Sequence, residues 1–299
     1  MVLFKGAATA LVTPFRNGKV DYESLGRLID WQIESGIDGL VICGTTGEAS
    51  TLSDEEHLEV VRFAVKRTEE ACGKSARRIP VLAGAGSNDT AHALKLAKAL
   101  EQEGIDGLLV VTPYYNKCTD AGLLRHYTHL ADRLEKPIIL YSVPGRTGVN
   151  IGPAVVKELC GHPNIAGIKE ASGNIAQAVE IARYCSEDFA LYSGNDDSIV
   201  PLLSVGGSGV ISVLSNVMPQ AASRMVHAYL SGDTEAAKGL QLELKPLIDA
   251  LFCEVNPIPV KQALAFLGRM EAEYRLPLCP ASFSSCKRIR EALMGAGLL

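Results

Sequence analysis

The stretch Asn164-Ile-Ala-Gly-Ile-Lys-Glu170 joins an unbroken apolar run to a lysine at its end. Continuous apolarity, rather than an alternation of apolar and polar residues, is typical of a strand that is buried on both faces of a parallel sheet. The stretch therefore predicts such a strand, with the amine of Lys169 at its carboxyl end in surroundings of low polarity.

Similar short apolar runs recur along the chain, with amphipathic segments between them. The segments carry helix-start signals at Asp21, Ser53, Asn88 and Thr119, where a small polar residue precedes the first turn. Eight such repeats predict an α/β protein with a (β/α)8 TIM barrel. An open doubly wound sheet is the alternative, but its first turn normally carries a glycine fingerprint. The predicted strands are Ala8–Val12, Gly39–Cys43, Ile79–Ala83, Gly107–Val111, Ile138–Tyr141, Ile165–Lys169, Phe189–Ser193 and Gly209–Val213.

The chain continues beyond the eighth run with helical patterns and no further strand signal. No linker rich in Gly, Ser or Pro separates these patterns from the rest. We therefore expect a barrel over residues 1–215 and a C-terminal helical region over residues 216–299 that packs on it. The predicted helices are Pro219–Ser231, Thr234–Glu254, Pro257–Arg269 and Ala281–Gly295.

Composition narrows the class of function. The 299 residues are 47% hydrophobic and 21% charged, and the net charge of -5 argues against a nucleic-acid-binding protein. No stretch approaches the roughly 18 apolar residues of a membrane helix, so we predict a cytoplasmic protein without a membrane partner. The eight cysteines form no CxxC pair and have no histidine cluster at ligand spacing, so no metal site is predicted.

Lys169 is the most informative candidate, because the reacting groups of a barrel enzyme lie at the carboxyl ends of its strands. Desolvation there disfavours the charged amine and lowers its pKa, which supplies the neutral nucleophile needed to attack a carbonyl. The alternative is a structural pair between Lys169 and Glu170. Neighbouring strand residues point to opposite faces, however, so these two side chains should diverge.

Two other strand ends carry polar groups. Thr45 and Thr46, in Gly44-Thr-Thr-Gly-Glu48, offer hydroxyls and backbone amides that either cradle a carboxylate or form an ordinary loop. Tyr141 and Arg146 offer a proton carrier and a bidentate carboxylate binder, or simply a buried tyrosine and a surface arginine. Position alone leaves both alternatives open.

These motifs together resemble the dihydrodipicolinate synthase/N-acetylneuraminate lyase superfamily, in order and along nearly the whole chain. The matching stretches are Ala10-Leu-Val-Thr-Pro-Phe15, Gly44-Thr-Thr-Gly-Glu48, Val111-Thr-Pro-Tyr-Tyr-Asn116, Tyr141 to Gly148, Gly167-Ile-Lys-Glu-Ala-Ser172, Ser193-Gly-Asn-Asp196, Gly209-Val-Ile-Ser-Val213 and Asn256-Pro-Ile-Pro-Val-Lys261. The resemblance implies a lyase with a class I aldolase mechanism, in which Lys169 forms a covalent imine with pyruvate and no other cofactor is needed.

The resemblance also implies roles for the residues around that imine. Thr45 and Thr46 hold the pyruvate carboxylate, and Tyr141 moves protons in a relay with Thr45 and Tyr115. In this superfamily the tyrosine matching Tyr115 comes from a neighbouring subunit, and a homotetramer built as a dimer of dimers is expected.

The second substrate distinguishes members of the superfamily. The resemblance implies that Arg146 binds the carboxylate of L-aspartate-4-semialdehyde, while Ile211 and Gly194 line the pyruvate site. A sugar-acid lyase has less need of such a guanidinium, so we expect the synthase branch, which serves lysine and diaminopimelate biosynthesis. Another pyruvate-dependent aldolase or lyase of the superfamily and a catalytically silent metabolite-binding barrel are the alternatives.

Several positions depart from the superfamily pattern. Ser142 stands where Asn is common and Asn195 where Asp is frequent, which puts the positioning of the mouth loop in doubt. The region that binds lysine as an inhibitor in sensitive members lacks the glutamate matching His92, although Asp54 offers a substitute acid. We expect weak or absent inhibition by lysine. The matching positions are Ala49, Ser50, Asp54, His57, Asn88, His92 and Tyr114.

Overall fold

The computed structural model describes residues 2–75 and 78–299 and contains a closed barrel of eight parallel strands. The predicted (β/α)8 barrel is thereby confirmed, and each predicted strand coincides with an observed one to within about two residues at either end. A separate antiparallel hairpin is formed by β2 and β3. The strands are β1 (Gly6–Ala10), β2 (Phe15–Arg16), β3 (Lys19–Val20), β4 (Gly39–Ile42), β5 (Val81–Gly84), β6 (Gly107–Val111), β7 (Ile138–Ser142), β8 (Ile165–Glu170), β9 (Ala190–Ser193) and β10 (Gly209–Ser212).

Helices connect successive barrel strands, and three of them begin at predicted caps. Asp21, Ser53 and Thr119 each accept a hydrogen bond from a backbone N–H in the first turn, which satisfies an amide that the helix itself leaves unpaired. Helix α3 is capped by Asp89 and not by the predicted Asn88. The helices are α1 (Tyr22–Glu34), α2 (Asp54–Ser75), α3 (Thr90–Glu101), α4 (Asp120–Ala131), α5 (Pro144–Thr147), α6 (Pro153–Leu159), α7 (Ile175–Ala182), α8 (Ile199–Ser204), α9 (Pro219–Leu230), α10 (Thr234–Leu251), α11 (Ile258–Phe266) and α12 (Phe283–Gly295).

Side-chain alternation divides the buried residues into two layers. Leu40 and Ile42 of β4 belong to the large apolar cluster between strands and helices, whereas Val41 belongs to a separate cluster that fills the barrel interior. Both layers are apolar, which explains why the strands read as continuous runs rather than as alternating patterns. The barrel interior is therefore a packed core.

The hairpin of β2 and β3 was not predicted from the sequence. It turns at Asn17 and Gly18, whose φ angles of 53° and 77° lie in the left-handed region. An Asn-Gly pair adopts these angles readily and is a strong hairpin signal, but the flanking strands are only two residues long.

The C-terminal helices pack onto the barrel in sequence. Helix α9 contacts β1, α10 lies against α9, and α12 packs on both α10 and α11. The predicted division at residue 215 stays a prediction, since α9 itself lies against the barrel strands. Among the described residues, no helix is both long and apolar enough to cross a membrane.

A buried ion pair ties α11 to the loop after β4. Lys261 is 0% exposed, and its Nζ contacts the carboxylate of Glu48 and lies 4.3 Å from the ring centroid of Phe15. Burial lowers the pKa of Lys261, and the charge of Glu48 partly opposes this shift. Because Glu48 is also buried, each charge depends on the other for compensation.

We expect Lys261→Met to lower the free energy of unfolding by about 3–5 kcal/mol, because it leaves the Glu48 carboxylate buried without its partner. Lys245→Met is the matched control, since Lys245 pairs with Asp249 on an exposed face of α10, and its effect should stay within about 0.5 kcal/mol. Urea unfolding followed by circular dichroism measures both. Adding Glu48→Gln to Lys261→Met should recover part of the loss, and equal effects of the two lysine substitutions would contradict this account.

Candidate active site

Lys169 and Tyr141 lie side by side on neighbouring strands. The register of β7 and β8 pairs these two residues, and Lys169 Nζ is 4.4 Å from the centroid of the Tyr141 ring. Lys169 is only 5% exposed, and Tyr141 belongs to the cluster inside the barrel. An amine thus lies against a phenol ring at the carboxyl end of the barrel, where barrel enzymes carry their reacting groups.

Glu170 points away from Lys169, as the alternation of strand side chains predicts. Its carboxylate accepts hydrogen bonds from Ser172 N at 2.7 Å and from Gln177 Nε2 at 3.1 Å, on the helix side of the strand. A structural pair between Lys169 and Glu170 is therefore not formed.

Gly194 lies in contact with Lys169. A Cβ atom built at Gly194 would come within 3.1 Å of Lys169 Cε and within 2.6 Å of Ala171 Cβ. The close approach leaves no room for a side chain at this position. Ile211, on β10, is fully buried in the same interior cluster as Tyr141.

The loop Gly44–Glu48 forms a tight turn at the end of β4. The backbone N–H groups of Gly47 and Glu48 donate to the carbonyls of Gly44 and Thr45, both at 3.1 Å. Within residues 2–75 and 78–299, the N–H groups of Thr45 and Thr46 have no hydrogen-bond acceptor. These two amides, together with the threonine hydroxyls, are available to an anion, as an amide nest requires.

A cavity of about 540 Å³ opens at the barrel mouth and brings several predicted residues together. Thr45, Tyr141 and Arg146 line it, whereas Lys169 is not among the lining residues but lies against Tyr141, which is. All seven positions of the predicted effector region line the same cavity. They are Ala49, Ser50, Asp54, His57, Asn88, His92 and Tyr114.

Tyr115 lies apart from these residues. It is 91% exposed, and its φ angle of 70° is in the left-handed region that non-glycine residues rarely adopt. Its side chain does not line the cavity in this chain.

Arg146 is exposed at the mouth, on the short helix α5. Its Nη2 donates to the backbone carbonyl of Asn256 at 3.1 Å, and the side chain of Asn256 donates from Nδ2 to Thr46 Oγ1 at 3.0 Å. Sequence reasoning quoted the motif that contains Asn256 but gave this residue no role.

Asp196 is a second residue that sequence reasoning missed. Its carboxylate accepts from Ser212 Oγ at 2.6 Å and from the backbone N–H groups of Val213 and Leu214 at 2.9 and 2.8 Å. Burial raises the pKa of Asp196, while these hydrogen bonds and the positive charge of Lys169 oppose the shift. A carboxylate three residues after the predicted strand end at Ser193 was the available signal.

The far wall of the cavity carries histidines and an acid. His92 Nε2 lies 3.0 Å from Asp54 Oδ1, and His92 Nδ1 lies 3.2 Å from Ser87 Oγ. His57 is buried, and this burial lowers its pKa to about 4, so its ring is neutral at pH 7. Asp54 thus lines the cavity while already paired with His92.

The two departures from the superfamily pattern lie outside the barrel interior. Ser142 Oγ donates to Asn150 Oδ1 at 3.2 Å and accepts from Ile151 N at 3.1 Å, so it anchors the chain after α5. Asn195 makes its described contacts through its backbone, which accepts from the hydroxyls of Ser193 and Ser198. Neither side chain contacts Lys169.

The amine and the phenol lie at the carboxyl end of a closed (β/α)8 barrel, which is where enzymes of this fold carry their reacting groups. The Dihydrodipicolinate synthetase family model matches residues 3–295. The chain belongs to this family.

Known relatives resemble the chain over its full length. A 4-hydroxy-tetrahydrodipicolinate synthase of Nitratidesulfovibrio vulgaris (strain DP4) is 51% identical over 297 residues, which cover 99% of both chains. The crystal structure of a dihydrodipicolinate synthase from Thermotoga maritima is similar with a TM-score of 0.95 and 44% identity, covering 99% of this chain and 100% of the other. A structure described as the first monomeric dihydrodipicolinate synthase variant has a TM-score of 0.94 and 43% identity, covering 100% and 98%.

Proposed function

We propose that the protein catalyses the 4-hydroxy-tetrahydrodipicolinate synthase reaction, the condensation of pyruvate with L-aspartate-4-semialdehyde in lysine and diaminopimelate biosynthesis. The observation that carries the proposal is the pairing of Lys169 with Tyr141 at the carboxyl end of the barrel, with the amine 4.4 Å from the ring centroid. Relatives of about half-identical sequence that bear this enzyme's name support it.

The first step joins Lys169 to pyruvate. The neutral amine attacks the ketone carbon, a carbinolamine forms, and loss of water leaves an iminium ion. Its nitrogen is an electron sink, so a base removes a methyl proton and an enamine results. The side chain of Lys169 lies at the carboxyl end of β8 against the Tyr141 ring, where its amine can act as the nucleophile. The imine supplies the chemistry of this step, and the proposal assigns no metal or organic cofactor.

Tyr141 carries protons in these steps. Its phenol lies against the amine and lines the cavity from which both substrates enter, which suits a group that accepts and returns a proton. Thr45 lines the same cavity and is placed to continue the relay. Tyr115, which is exposed on this chain, completes the relay in a neighbouring subunit.

Carbon–carbon bond formation follows. The enamine carbon attacks the aldehyde carbon of the semialdehyde, and the aldehyde oxygen takes up a proton. The amino group of the same substrate then attacks the iminium carbon, which closes the ring and releases Lys169 as the free amine.

Two different parts of the barrel mouth bind the carboxylates of the two substrates. Thr45 and Thr46 hold the pyruvate carboxylate with hydroxyls and unpaired backbone amides, while Arg146 holds the carboxylate of the semialdehyde by charge-assisted hydrogen bonds. Gly194 and Ile211 border the space for pyruvate. Gly194 has no side chain and that of Ile211 is apolar, so together they keep the methyl group of pyruvate next to the base.

The exposed position of Tyr115 supports a proposal for the assembly. A tyrosine that is 91% exposed with a left-handed backbone suits contribution to a partner's site, and we propose a homotetramer built as a dimer of dimers. Because one structural relative is a monomeric variant, the fold alone does not fix the assembly. The cytoplasmic location stays a prediction from the sequence.

Incubation with pyruvate and borohydride, followed by peptide mass spectrometry, tests the first step. We expect a reduced pyruvyl adduct on Lys169, because borohydride reduces the iminium to a stable secondary amine. Lys169→Met should abolish it, and the buried Lys261 serves as an internal control that stays unmodified. Folded wild-type protein without an adduct on Lys169 would contradict the proposal.

Arg146→Ala should separate the two half-reactions. We expect kcat/KM for the semialdehyde to fall roughly 10- to 100-fold, the effect of losing hydrogen bonds to a charged group, while pyruvate trapping at Lys169 stays within a few-fold of wild type. Arg146→Lys, which keeps the charge but not the planar fork, should fall between the two. Stopped-flow trapping and a coupled steady-state assay measure these quantities, and equal losses in both would refute the role of Arg146.

Lysine should inhibit weakly or not at all. An effector ammonium needs an acidic partner, but His92 occupies that position and Asp54 is already paired with it at 3.0 Å. Steady-state assays with added lysine measure the effect, and inhibition at sub-millimolar lysine would overturn the expectation. His92→Glu should increase sensitivity, because it supplies the missing acid, whereas the neutral control His92→Gln should not.

A further inference from the structure

The C-terminal region reaches the barrel mouth at Asn256, between α10 and α11. Its side-chain amide donates to Thr46 Oγ1 at 3.0 Å, and its backbone carbonyl accepts from Arg146 Nη2 at 3.1 Å. Asn256 is 6% exposed. One buried residue therefore contacts both groups to which the proposed function assigns the two substrate carboxylates.

The position of Asn256 is fixed from both sides. Ile258 N donates to the carbonyl of Val255 at 2.9 Å, and Lys261 N donates to that of Pro257 at 3.0 Å. The side chain of Lys261 in turn pairs with Glu48, two residues beyond Thr46. The loop after β4 is thus held at two points by the same short segment, so Asn256 meets Thr46 in a defined geometry.

The contact with Asn256 determines whether the Thr46 hydroxyl acts as a donor or as an acceptor in that hydrogen bond. A hydroxyl has one proton to donate and lone pairs that accept. Since the Asn256 amide donates to Thr46 Oγ1, the hydroxyl acts there as acceptor and keeps its own proton for another partner. An anion such as a carboxylate is the partner that such a free donor suits.

The other half of the amide supports this interpretation. Within the described part of the chain, Asn256 Oδ1 is buried and has no hydrogen-bond partner. A buried acceptor left unpaired costs free energy, so packing alone is a poor reason for an asparagine at this position. The donating N–H is the part of the side chain that makes a described contact.

We infer that Asn256 is a positioning residue: its amide holds the Thr46 hydroxyl as a donor toward the pyruvate carboxylate, and its carbonyl holds Arg146 for the second substrate. The inference rests on the proposed function. It assigns to the C-terminal region a part in substrate recognition that the barrel strands alone do not supply.

Asn256→Asp tests whether the donating amide is required, because it replaces the amide with a carboxylate of almost the same shape. The introduced carboxylate only accepts, so the Thr46 hydroxyl donates its hydrogen bond to it instead of to pyruvate, and a negative charge is added near the bound pyruvate. We expect the pyruvate concentration for half-maximal trapping at Lys169 to rise roughly 30- to 100-fold. Asn256→Ala leaves the hydroxyl free to donate and should raise it only about threefold.

Two further readouts separate this role from a structural one. The backbone carbonyl remains in both variants, so the KM for the semialdehyde at saturating pyruvate should stay within about threefold of wild type. The Asn256→Asp protein should regain pyruvate affinity as the pH falls and the introduced carboxyl becomes protonated, since it can then donate again. The inference would be overturned if Asn256→Asp bound pyruvate as tightly as wild type or as Asn256→Ala does.

A double-mutant cycle keeps the inference testable if Asn256→Asp fails to fold. Thr46→Val removes the hydroxyl, so adding Asn256→Ala to it should cause no further loss of pyruvate affinity. Fully additive losses would overturn the inference. If the wild-type protein traps no pyruvate, the proposed function is overturned instead. The two outcomes can be told apart because a failure of the inference appears in the variants, and a failure of the proposed function appears in the wild-type protein.

Discussion

Closure of eight parallel strands is the constraint from which the site follows. In a closed parallel barrel all carboxyl ends meet at one mouth, and each strand presents alternate residues to the interior and to the helices. The pairing of Tyr141 with Lys169 is a consequence of this register. A shift of either strand by one residue would turn its side chain to the helix layer, where Glu170 now lies.

The barrel does not complete the site alone. The loop after β4 carries the threonines to which the proposed function assigns the pyruvate carboxylate, and the buried pair between Glu48 and Lys261 joins this loop to α11. Burying two charges is costly, and an apolar pair of similar volume would often be at least as stable. The ion pair instead fixes the position of the loop. It joins one end of the loop to α11, while Asn256 contacts another part of the loop through Thr46.

The strands and the strand-end residues could be predicted because their signals are local. An apolar run that ends in Lys169 is visible within a few residues, and the ordered motifs around it indicate the neighbours. Asn256 and Lys261 gave no such signal, since each meets its partner across more than 200 residues of sequence. The pairing of His92 with Asp54 also depends on how α2 and α3 pack, which the local pattern does not reveal.

In the proposed function, the chemistry and the choice of substrate depend on different parts of the fold. Lys169 and Tyr141 lie on barrel strands, where the register and the packed interior hold them rigidly. Arg146 and Asn256 lie on α5 and on the segment before α11, outside the strands, and they contact each other through one hydrogen bond of 3.1 Å. Loops of this kind tolerate change better than strands do. Under the proposed function, substitutions there would alter which acid the cavity accepts, while the amine and the phenol on β8 and β7 would keep their geometry.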